Sequence, residues 1–279
     1  MGVLSIQSSV SLGHVGNAAA VLPLQRLGHE VWPVDTVRFS NHPGHGSWRG
    51  EVLEPAAIAA VLKGIEERGA FTDCSAVLSG YLGSAETGRV VAATVARVKA
   101  STASTVYCCD PVIGDTAEGL YAPEDLARLF ADELVLLADI AVPNAFELAF
   151  ITGRTVNDLE TALIAIDDLR ARGPDCVVAT SIPMADGLAT LAVDGVGAWM
   201  VETPIIETPA KGSGDVLTAL FLGHRLNGLA TEDALSRAVS SVHAVLSATT
   251  AIGGDELTLV AAQDALVTPE NLFDPRRIR

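Results

Sequence analysis

Residues 76–113 read AVLSGYLGSAETGRVVAATVARVKASTASTVYCCDPVI, and this stretch contains one complete strand–helix–strand unit. Segments 76–82 and 105–113 are rich in apolar and β-branched residues, which predicts buried strands. Segment 84–99 between them carries its apolar residues at helical spacing. A strand, a helix and a second strand in succession are typical of parallel neighbours in one sheet. The stretch therefore predicts an α/β fold.

The same alternation runs through most of the chain. Further strands are predicted at 3–7, 31–39, 139–142 and 176–180, and further helices at 16–27, 55–68, 123–134 and 158–172. The strand segments show no clean polar alternation, which favours a largely parallel central sheet flanked by helices on both faces, a three-layer α/β/α architecture. Segments 189–193 and 198–202 flank an Asp-Gly turn and predict an antiparallel hairpin. The tail 213–266 is helical in pattern, with interruptions at 227–228 and 253–254.

Composition limits the classes of function. The chain has 279 residues, 49% of them apolar, and no linker divides it, so we expect a single domain over 1–279. Eighteen Lys and Arg against 34 Asp and Glu give a formal charge of −16, which argues against a nucleic-acid partner. No apolar run reaches the roughly 18 residues of a membrane span, and the N-terminus has no basic leader, so a cytoplasmic protein is expected. The four cysteines are expected to be reduced and buried.

The most informative segment for chemistry is KGSGDVLT at 211–218, which leads into an apolar helix. Gly212, Ser213 and Gly214 leave successive backbone amides open at a helix start, where they can bind phosphate oxygens. Asp215 is either a favourable partner of the helix dipole or, beside a bound phosphate, a general base for a hydroxyl nucleophile. The segment lacks the Walker pattern of P-loop NTPases, which argues against that class. Gly195-Val196-Gly197 is not followed by the third glycine of a dinucleotide-binding fingerprint, which disfavours a Rossmann dehydrogenase.

Carboxylates follow two other predicted strands. Asp110 and Asp115 come at the end of strand 105–113, where ligands of open α/β sheets bind. Asn144 and Glu147 follow strand 139–142 and would share one helix face, which suits Mg²⁺ directly or through water. The alternatives are a turn cap at Asp110 and a capping box formed by Asn144 and Glu147.

Two segments near the N-terminus are candidate substrate loops. In SSVSLGHVGN at 8–17, Ser8 offers a hydroxyl to a ligand; the alternative is a plain strand-to-helix turn with Asn17 as the N-cap. Residues 40–50 form a polar, glycine-rich loop beside the expected site. His42 and His45 in this loop could be a metal pair, but no third ligand lies at suitable spacing.

Together these segments resemble the ribokinase-like kinases, and within them the pyridoxal (vitamin B6) kinases. The resemblance runs nearly end to end. Its motifs are SIQS at 5–8, GHVGN at 13–17, VRFSNH at 37–42, LSGYLGS at 78–84, CDPVIGD at 109–115 and GSGD at 212–215. The last motif marks only the superfamily, whereas the SNH and SGYLG segments point to pyridoxal.

The resemblance implies transfer of the ATP γ-phosphoryl group to the 5′-hydroxyl of pyridoxal, with pyridoxine and pyridoxamine as further candidate acceptors. It implies a substrate pocket in which Ser8 binds the pyridine ring, surrounded by Val15, Phe39, His42 and Tyr81, with Asp215 as base and the amides of Gly212, Ser213 and Gly214 holding the developing charge. It also implies an ATP site of Asp110, Asp115, Asn144, Glu147, Thr180, Ser181, Lys211 and Ser213, with Asp110 and Glu147 as candidate Mg²⁺ ligands. A monovalent cation such as K⁺ and a homodimer are implied as well.

Two positions depart from the pattern. Pro43 stands where these kinases typically have threonine, and it removes a hydroxyl and an amide donor from the substrate loop. Lys211 replaces a residue that is usually small and apolar; its ammonium could bind phosphate or remain a solvated surface charge. The rival functions are a hydroxymethylpyrimidine or other small-alcohol kinase of the same fold, and a non-catalytic B6-binding protein.

Overall fold

A ten-stranded sheet forms the centre of the structure, a computed structural model that describes residues 2–279. The strands, in chain order, are β1 (Gly2–Val10), β2 (Glu30–Phe39), β3 (Gly50–Val52), β4 (Cys74–Ser79), β5 (Val106–Cys109), β6 (Gly114–Asp115), β7 (Gly119–Leu120), β8 (Ile140–Ala141), β9 (Cys176–Pro183), β10 (Leu188–Val193), β11 (Ala198–Thr203) and β12 (Arg276–Arg277). Strands β6 and β7 form a small hairpin of their own, and the other ten make up the sheet in the order β12-β11-β10-β9-β8-β5-β4-β1-β2-β3.

The pairing confirms a largely parallel sheet. Six neighbouring strands, from β9 through β8, β5, β4 and β1 to β2, pair in parallel. The pairs β9–β10, β10–β11 and β11–β12 are antiparallel at one edge, and β2–β3 is antiparallel at the other. The β10–β11 hairpin is the one predicted around the Asp-Gly turn. Because the six strands β9, β8, β5, β4, β1 and β2 are parallel, their carboxyl ends lie along the same edge of the sheet.

Helices cover both faces of the sheet. They are α1 (Asn17–Arg26), α2 (Pro55–Glu67), α3 (Ala85–Ser101), α4 (Glu124–Leu129), α5 (Val135–Leu137), α6 (Ala145–Thr152), α7 (Leu159–Arg170), α8 (Ser213–Leu226) and α9 (Thr231–Ala251). A π-helical turn, Phe130–Leu134, joins α4 to α5. Within residues 2–279, no helix combines the length and the apolar character needed to cross a membrane.

Two hydrophobic cores lie on opposite sides of the sheet. One is formed with α2, α3, α4, α6 and α7, and the other with α1, α8 and α9. Cys108 and Cys109 are neighbours on β5, and their side chains enter opposite cores, as the alternation of a strand predicts. All four cysteines are free and buried, in agreement with expectation. The predicted three-layer architecture is confirmed.

Three local predictions are wrong. The helical pattern after Gly254 does not give a helix: Leu257, Leu259 and Leu266 are buried from a series of turns, so their spacing reflects burial alone. The strand predicted over 105–113 ends at Cys109, since Pro111 has no amide to continue a ladder. Asn17 is not an N-cap. Gly16 holds that position, and the buried Asn17 side chain accepts from the Ser5 hydroxyl at 2.8 Å.

Candidate active site

A cavity of about 390 Å³ opens at the carboxyl ends of the parallel strands. Its size falls in the ordinary range of small-ligand pockets. The residues proposed as site members from the sequence all line it: Ser8, Val15, Phe39, His42, Tyr81, Asp110, Asp115, Asn144, Glu147, Thr180, Ser181, Lys211, Gly212, Ser213, Gly214 and Asp215. The fold thus brings together residues that are as far apart in the chain as Ser8 and Thr218.

The glycine-lined turn before α8 has a backbone that only glycine tolerates. Gly212 is the N-cap of α8 and has a φ of 97°, in the left-handed region. A Cβ atom at this position would lie 1.9 Å from the carbonyl oxygen of His14. The turn is therefore packed against the loop that follows β1, and Gly212, Ser213 and Gly214 line the cavity at the start of α8, where helix amides can bind an anion.

Asp215 lies in the first turn of α8. The nearby backbone N–H of Gly16 favours the ionised form of its carboxylate. Burial acts in the opposite direction and is the larger effect, so the pKa of Asp215 is raised to about 6. A carboxylate with this pKa is largely ionised at pH 7 and is more basic than an exposed aspartate, which suits a general base.

Asp110 is buried beside Asp215 and is hydrogen-bonded to the same helix, α8. Its Oδ2 accepts a hydrogen bond from the hydroxyl of Thr218 at 2.9 Å, and Thr218 follows Asp215 by three residues on α8. Burial and then the charge of Asp215 raise the pKa of Asp110 to about 8, although the bond from Thr218 opposes this. Two carboxyl groups that repel one another in this way attract a cation or a positively charged group.

Glu147 and Asn144 form the capping box of α6. Glu147 Oε2 accepts a hydrogen bond from the backbone N–H of Asn144 at 2.8 Å, and Asn144 Oδ1 accepts one from the backbone N–H of Glu147 at 3.0 Å. Glu147 Oε1 also accepts from the Ile113 amide at 3.0 Å, which ties α6 to the segment after β5. Burial and the charge of Asp110 raise the pKa of Glu147. The capping interpretation is confirmed, and a role toward a metal stays a prediction.

The substrate side of the cavity is apolar and aromatic. Phe39 packs against Trp48 with ring centroids 4.2 Å apart, and Trp48 belongs to the 40–50 loop. His42 caps a short 3₁₀ turn (Pro43–His45), with its Nδ1 accepting from the Gly44 amide at 3.0 Å. Burial, followed by the charge of Lys211, lowers the pKa of His42. His45 instead pairs with Glu256 at 2.9 Å, so the two histidines have separate partners.

Comparison with known proteins identifies the family of this chain. A family model described as phosphomethylpyrimidine kinase matches residues 51–259. A pyridoxal kinase of Rubrobacter xylanophilus is 46% identical over 283 residues, covering 100% of this chain and 98% of that protein. A pyridoxal kinase of Deinococcus radiodurans is 47% identical, covering 99% of this chain and 96% of that protein. The chain belongs to the pyridoxal kinase family.

Solved structures of pyridoxal kinases share this fold. Pyridoxal kinase from Leishmania donovani in complex with ADP and ginkgotoxin matches with a TM-score of 0.94 and 29% identity, covering 100% of this chain and 99% of that one. The same enzyme in complex with ADP and pyridoxamine matches with a TM-score of 0.93 and 29% identity, covering the same shares of both chains. The ribokinase-like fold predicted from the sequence is confirmed.

Several residues of this pyridoxal kinase cavity were missed by sequence reasoning: Val10, Val37, Gly44, Val112, Glu118, Tyr121, Val142 and Thr218. Thr218 could have been found, since it lies one turn after Asp215 on the same helix. Glu118 and Tyr121 lie in and after the β6–β7 hairpin, where no motif distinguishes them. Glu118 pairs with Lys211 at 2.6 Å, a contact between segments that are remote in sequence.

Proposed function

We propose that residues 1–279 form a single kinase domain that transfers the γ-phosphoryl group of ATP to the 5′-hydroxyl of pyridoxal. One observation carries the proposal: Asp215, with a pKa of about 6, lies in the first turn of α8 and lines the same cavity as Gly212, Ser213 and Gly214 at the start of that helix. Membership of the pyridoxal kinase family supports this acceptor. One sheet contains strands from Gly2 to Arg277, which supports a single domain.

The reaction needs a base, an anion site and an acceptor in line. Asp215 removes the proton from the 5′-hydroxyl as its oxygen attacks the γ-phosphorus. The new O–P bond forms, the bond from the γ-phosphorus to the β–γ bridging oxygen breaks, and ADP leaves. The amides of Gly212, Ser213 and Gly214 donate to the equatorial oxygens and stabilise their negative charge. At pH 7 the base is largely ionised, so it is ready to accept the proton.

The acceptor is held by the residues at the ends of β1, β2 and β4. Ser8 donates to or accepts from the pyridine ring, while Val15 and Phe39 cover its faces and Tyr81 bounds the ring. His42 completes the pocket from the 40–50 loop. Pro43, beside it, offers neither hydroxyl nor amide, so we expect the preference among pyridoxal, pyridoxine and pyridoxamine to depend on this position.

The nucleotide is held on the other side of the cavity. Asp115, Asn144, Thr180 and Ser181 face it from the ends of the strands, and Lys211 and Ser213 bind its terminal phosphate. Among residues 2–279, no three His, Cys, Asp or Glu side chains lie close enough to form a preformed metal cluster. Burial and then the charge of Asp215 raise the pKa of Asp110, and burial and then the charge of Asp110 raise the pKa of Glu147, which nevertheless fits a cation beside Asp110 and Glu147. Asp110 and Glu147 would hold Mg²⁺, which neutralises phosphate charge when bound.

Three further expectations follow from family membership. Activity should require Mg²⁺ and should rise when K⁺ replaces a bulky monovalent cation in the assay buffer. The chain should form a homodimer, which light scattering coupled to size exclusion can test. A cytoplasmic location is expected and can be tested by cell fractionation.

One assay separates the candidate functions. The purified chain is mixed with ATP, Mg²⁺ and pyridoxal, and formation of pyridoxal phosphate is followed by its absorbance together with coupled release of ADP. The proposed kinase gives both signals. The matching family model is described as phosphomethylpyrimidine kinase, so a hydroxymethylpyrimidine kinase is the rival enzyme. Such an enzyme releases ADP with hydroxymethylpyrimidine and none with pyridoxal. A non-catalytic B6-binding protein binds pyridoxal and releases no ADP.

A further inference from the structure

Lys211 lies where three parts of the cavity wall meet. It directly precedes the glycine-lined turn of α8, and its Nζ is 2.6 Å from Oε1 of Glu118 in the β6–β7 hairpin. Its Cε atom would lie 3.8 Å from a Cβ placed on Gly44, in the substrate loop. The ammonium group of Lys211 therefore links the glycine-lined turn to the β6–β7 hairpin, and its side chain passes close to the 40–50 loop.

The position of Glu118 is fixed by its own hairpin. Oδ1 of Asp115 accepts hydrogen bonds from the amides of Ala117 at 2.8 Å and of Glu118 at 2.6 Å, which closes the turn between β6 and β7. The Lys211 and Glu118 side chains are 37% and 44% exposed, so the ion pair is accessible to solvent. An ion pair of this kind is weak enough to be exchanged for a better partner.

The charge of the cavity wall identifies that partner. Lys211 is the one Lys or Arg among the described residues that line the cavity. The acidic residues on the same wall are Asp110, Asp115, Glu118, Glu147 and Asp215. A nucleotide triphosphate entering this site carries several negative charges, and Lys211 is the side-chain cation that can meet them. A single carboxylate then competes with a polyanion for one ammonium group.

We infer that the Lys211 ammonium exchanges partners during the reaction cycle, bound to Glu118 when the site is empty and to the terminal phosphate of ATP when the site is loaded. Glu118 is then a positioning residue that holds Lys211 at the cavity mouth and competes with ATP for it. The inference rests on the proposed function, because it assigns the terminal phosphate to the turn that begins at Gly212.

The exchange predicts opposite effects for the two partners of one ion pair. Lys211→Met removes a charged donor to phosphate, so binding of the ATP analogue AMP-PNP should weaken by about tenfold, and binding of ADP, which lacks the terminal phosphate, should weaken less. Glu118→Gln removes the competitor, so binding of AMP-PNP should tighten by about 1.5- to 5-fold. The double variant should behave as Lys211→Met, since Glu118 acts only through Lys211.

The test is isothermal calorimetry of AMP-PNP and ADP, each with Mg²⁺, on the full chain and the three variants. Glu202→Gln is the matched control: Glu202 has similar exposure, 49%, pairs with Arg276 at 3.2 Å and does not line the cavity, so its variant should bind as wild type. Circular dichroism checks that each variant is folded. The advantage of Glu118→Gln over wild type should also shrink at high salt, which screens an accessible ion pair.

The inference is overturned if Glu118→Gln weakens AMP-PNP binding as Lys211→Met does, because the pair would then only fasten the hairpin to the turn. It is equally overturned if Glu118→Gln leaves binding unchanged, or if Lys211→Met affects ADP and AMP-PNP alike. Failure of the proposed function gives a different result: the wild-type chain would bind AMP-PNP and show the opposite shifts, yet release no ADP with pyridoxal.

Discussion

Replacing Asp215 by asparagine should remove activity and stabilise the fold at the same time. The carboxyl pKa is raised from an ordinary 3.8 to about 6, because the group is buried with only the Gly16 amide to offset the loss of water. At about 1.36 kcal/mol per pH unit, holding this group ionised costs the folded protein up to about 3 kcal/mol. The substituted side chain would keep an acceptor for the Gly16 amide and carry no charge, so Asp215→Asn should gain about 1–3 kcal/mol at a pH of about 7.5.

The stability difference between the wild type and Asp215→Asn should depend on pH, and the raised pKa fixes the direction of that dependence. For an acid whose folded-state pKa is raised, the folded protein binds more protons than the unfolded chain between the two values. The wild type and Asp215→Asn should therefore be equally stable near pH 4. The stability of the wild type relative to the variant should fall as the pH rises from about 4 to about 6 and should stay constant at higher pH. Activity has the opposite profile: wild-type kcat/KM should rise through about pH 6 as Asp215 ionises.

Two measurements on the same pair of proteins test this. Denaturant unfolding at pH values of about 4.5 and about 7.5 gives the stability difference, and the coupled assay gives kcat. The loss of a general base should lower kcat by about 10²- to 10⁴-fold with little change in ATP affinity. The reasoning is refuted if Asp215→Asn keeps near wild-type kcat, or if it is less stable than wild type at the higher pH.

Three further substitutions test other parts of the site. Ser8→Ala should raise KM for pyridoxal by about two- to tenfold at unchanged kcat, since it loses one ground-state hydrogen bond; an unchanged KM would remove Ser8 from the pocket. Gly212→Ala, with a φ of 97° and a Cβ 1.9 Å from a carbonyl oxygen, should lose at least about 1–3 kcal/mol of stability, whereas Gly214→Ala, with nothing within 4 Å, should unfold as wild type. Pro43→Thr should lower KM for pyridoxal by about two- to tenfold, and equal KM values would show that the missing hydroxyl has no role.

The sheet and most helices could be predicted because burial on both faces leaves a clear pattern in the sequence. The runs that became β1, β2, β4 and β9 are rich in apolar and β-branched residues, and the periodicity of α3 fixed its position to within two residues. The turns at 255–266 show the limit of this reasoning. Leu257, Leu259 and Leu266 are buried although the backbone there forms turns, so a pattern of apolar residues alone does not fix the backbone.

The site could be predicted in its members but not in its pairings. Segments after parallel strands meet at one edge, so Asp110 and Asn144 were expected together, whereas Asp215 was proposed from the glycine-lined start of a helix. The partners of Lys211 and Asp110 could not be found in this way, because a pair such as Lys211–Glu118 depends on how the short β6–β7 hairpin folds back over the cavity. Chain direction and burial determine which segments meet at the edge of the sheet. Side-chain contacts across loops depend on the detailed conformation of each loop.

The contact between Gly212 and His14 has a mechanical consequence. Because the glycine-lined turn before α8 rests on the backbone of the turn after β1, with no room for even one methyl group, we expect these two segments to move together. If the cavity opens or closes during turnover, we expect the motion in two other segments that line it, the 40–50 loop and the β6–β7 hairpin. Labels placed on those two segments should report motion, and labels beside His14 should report none.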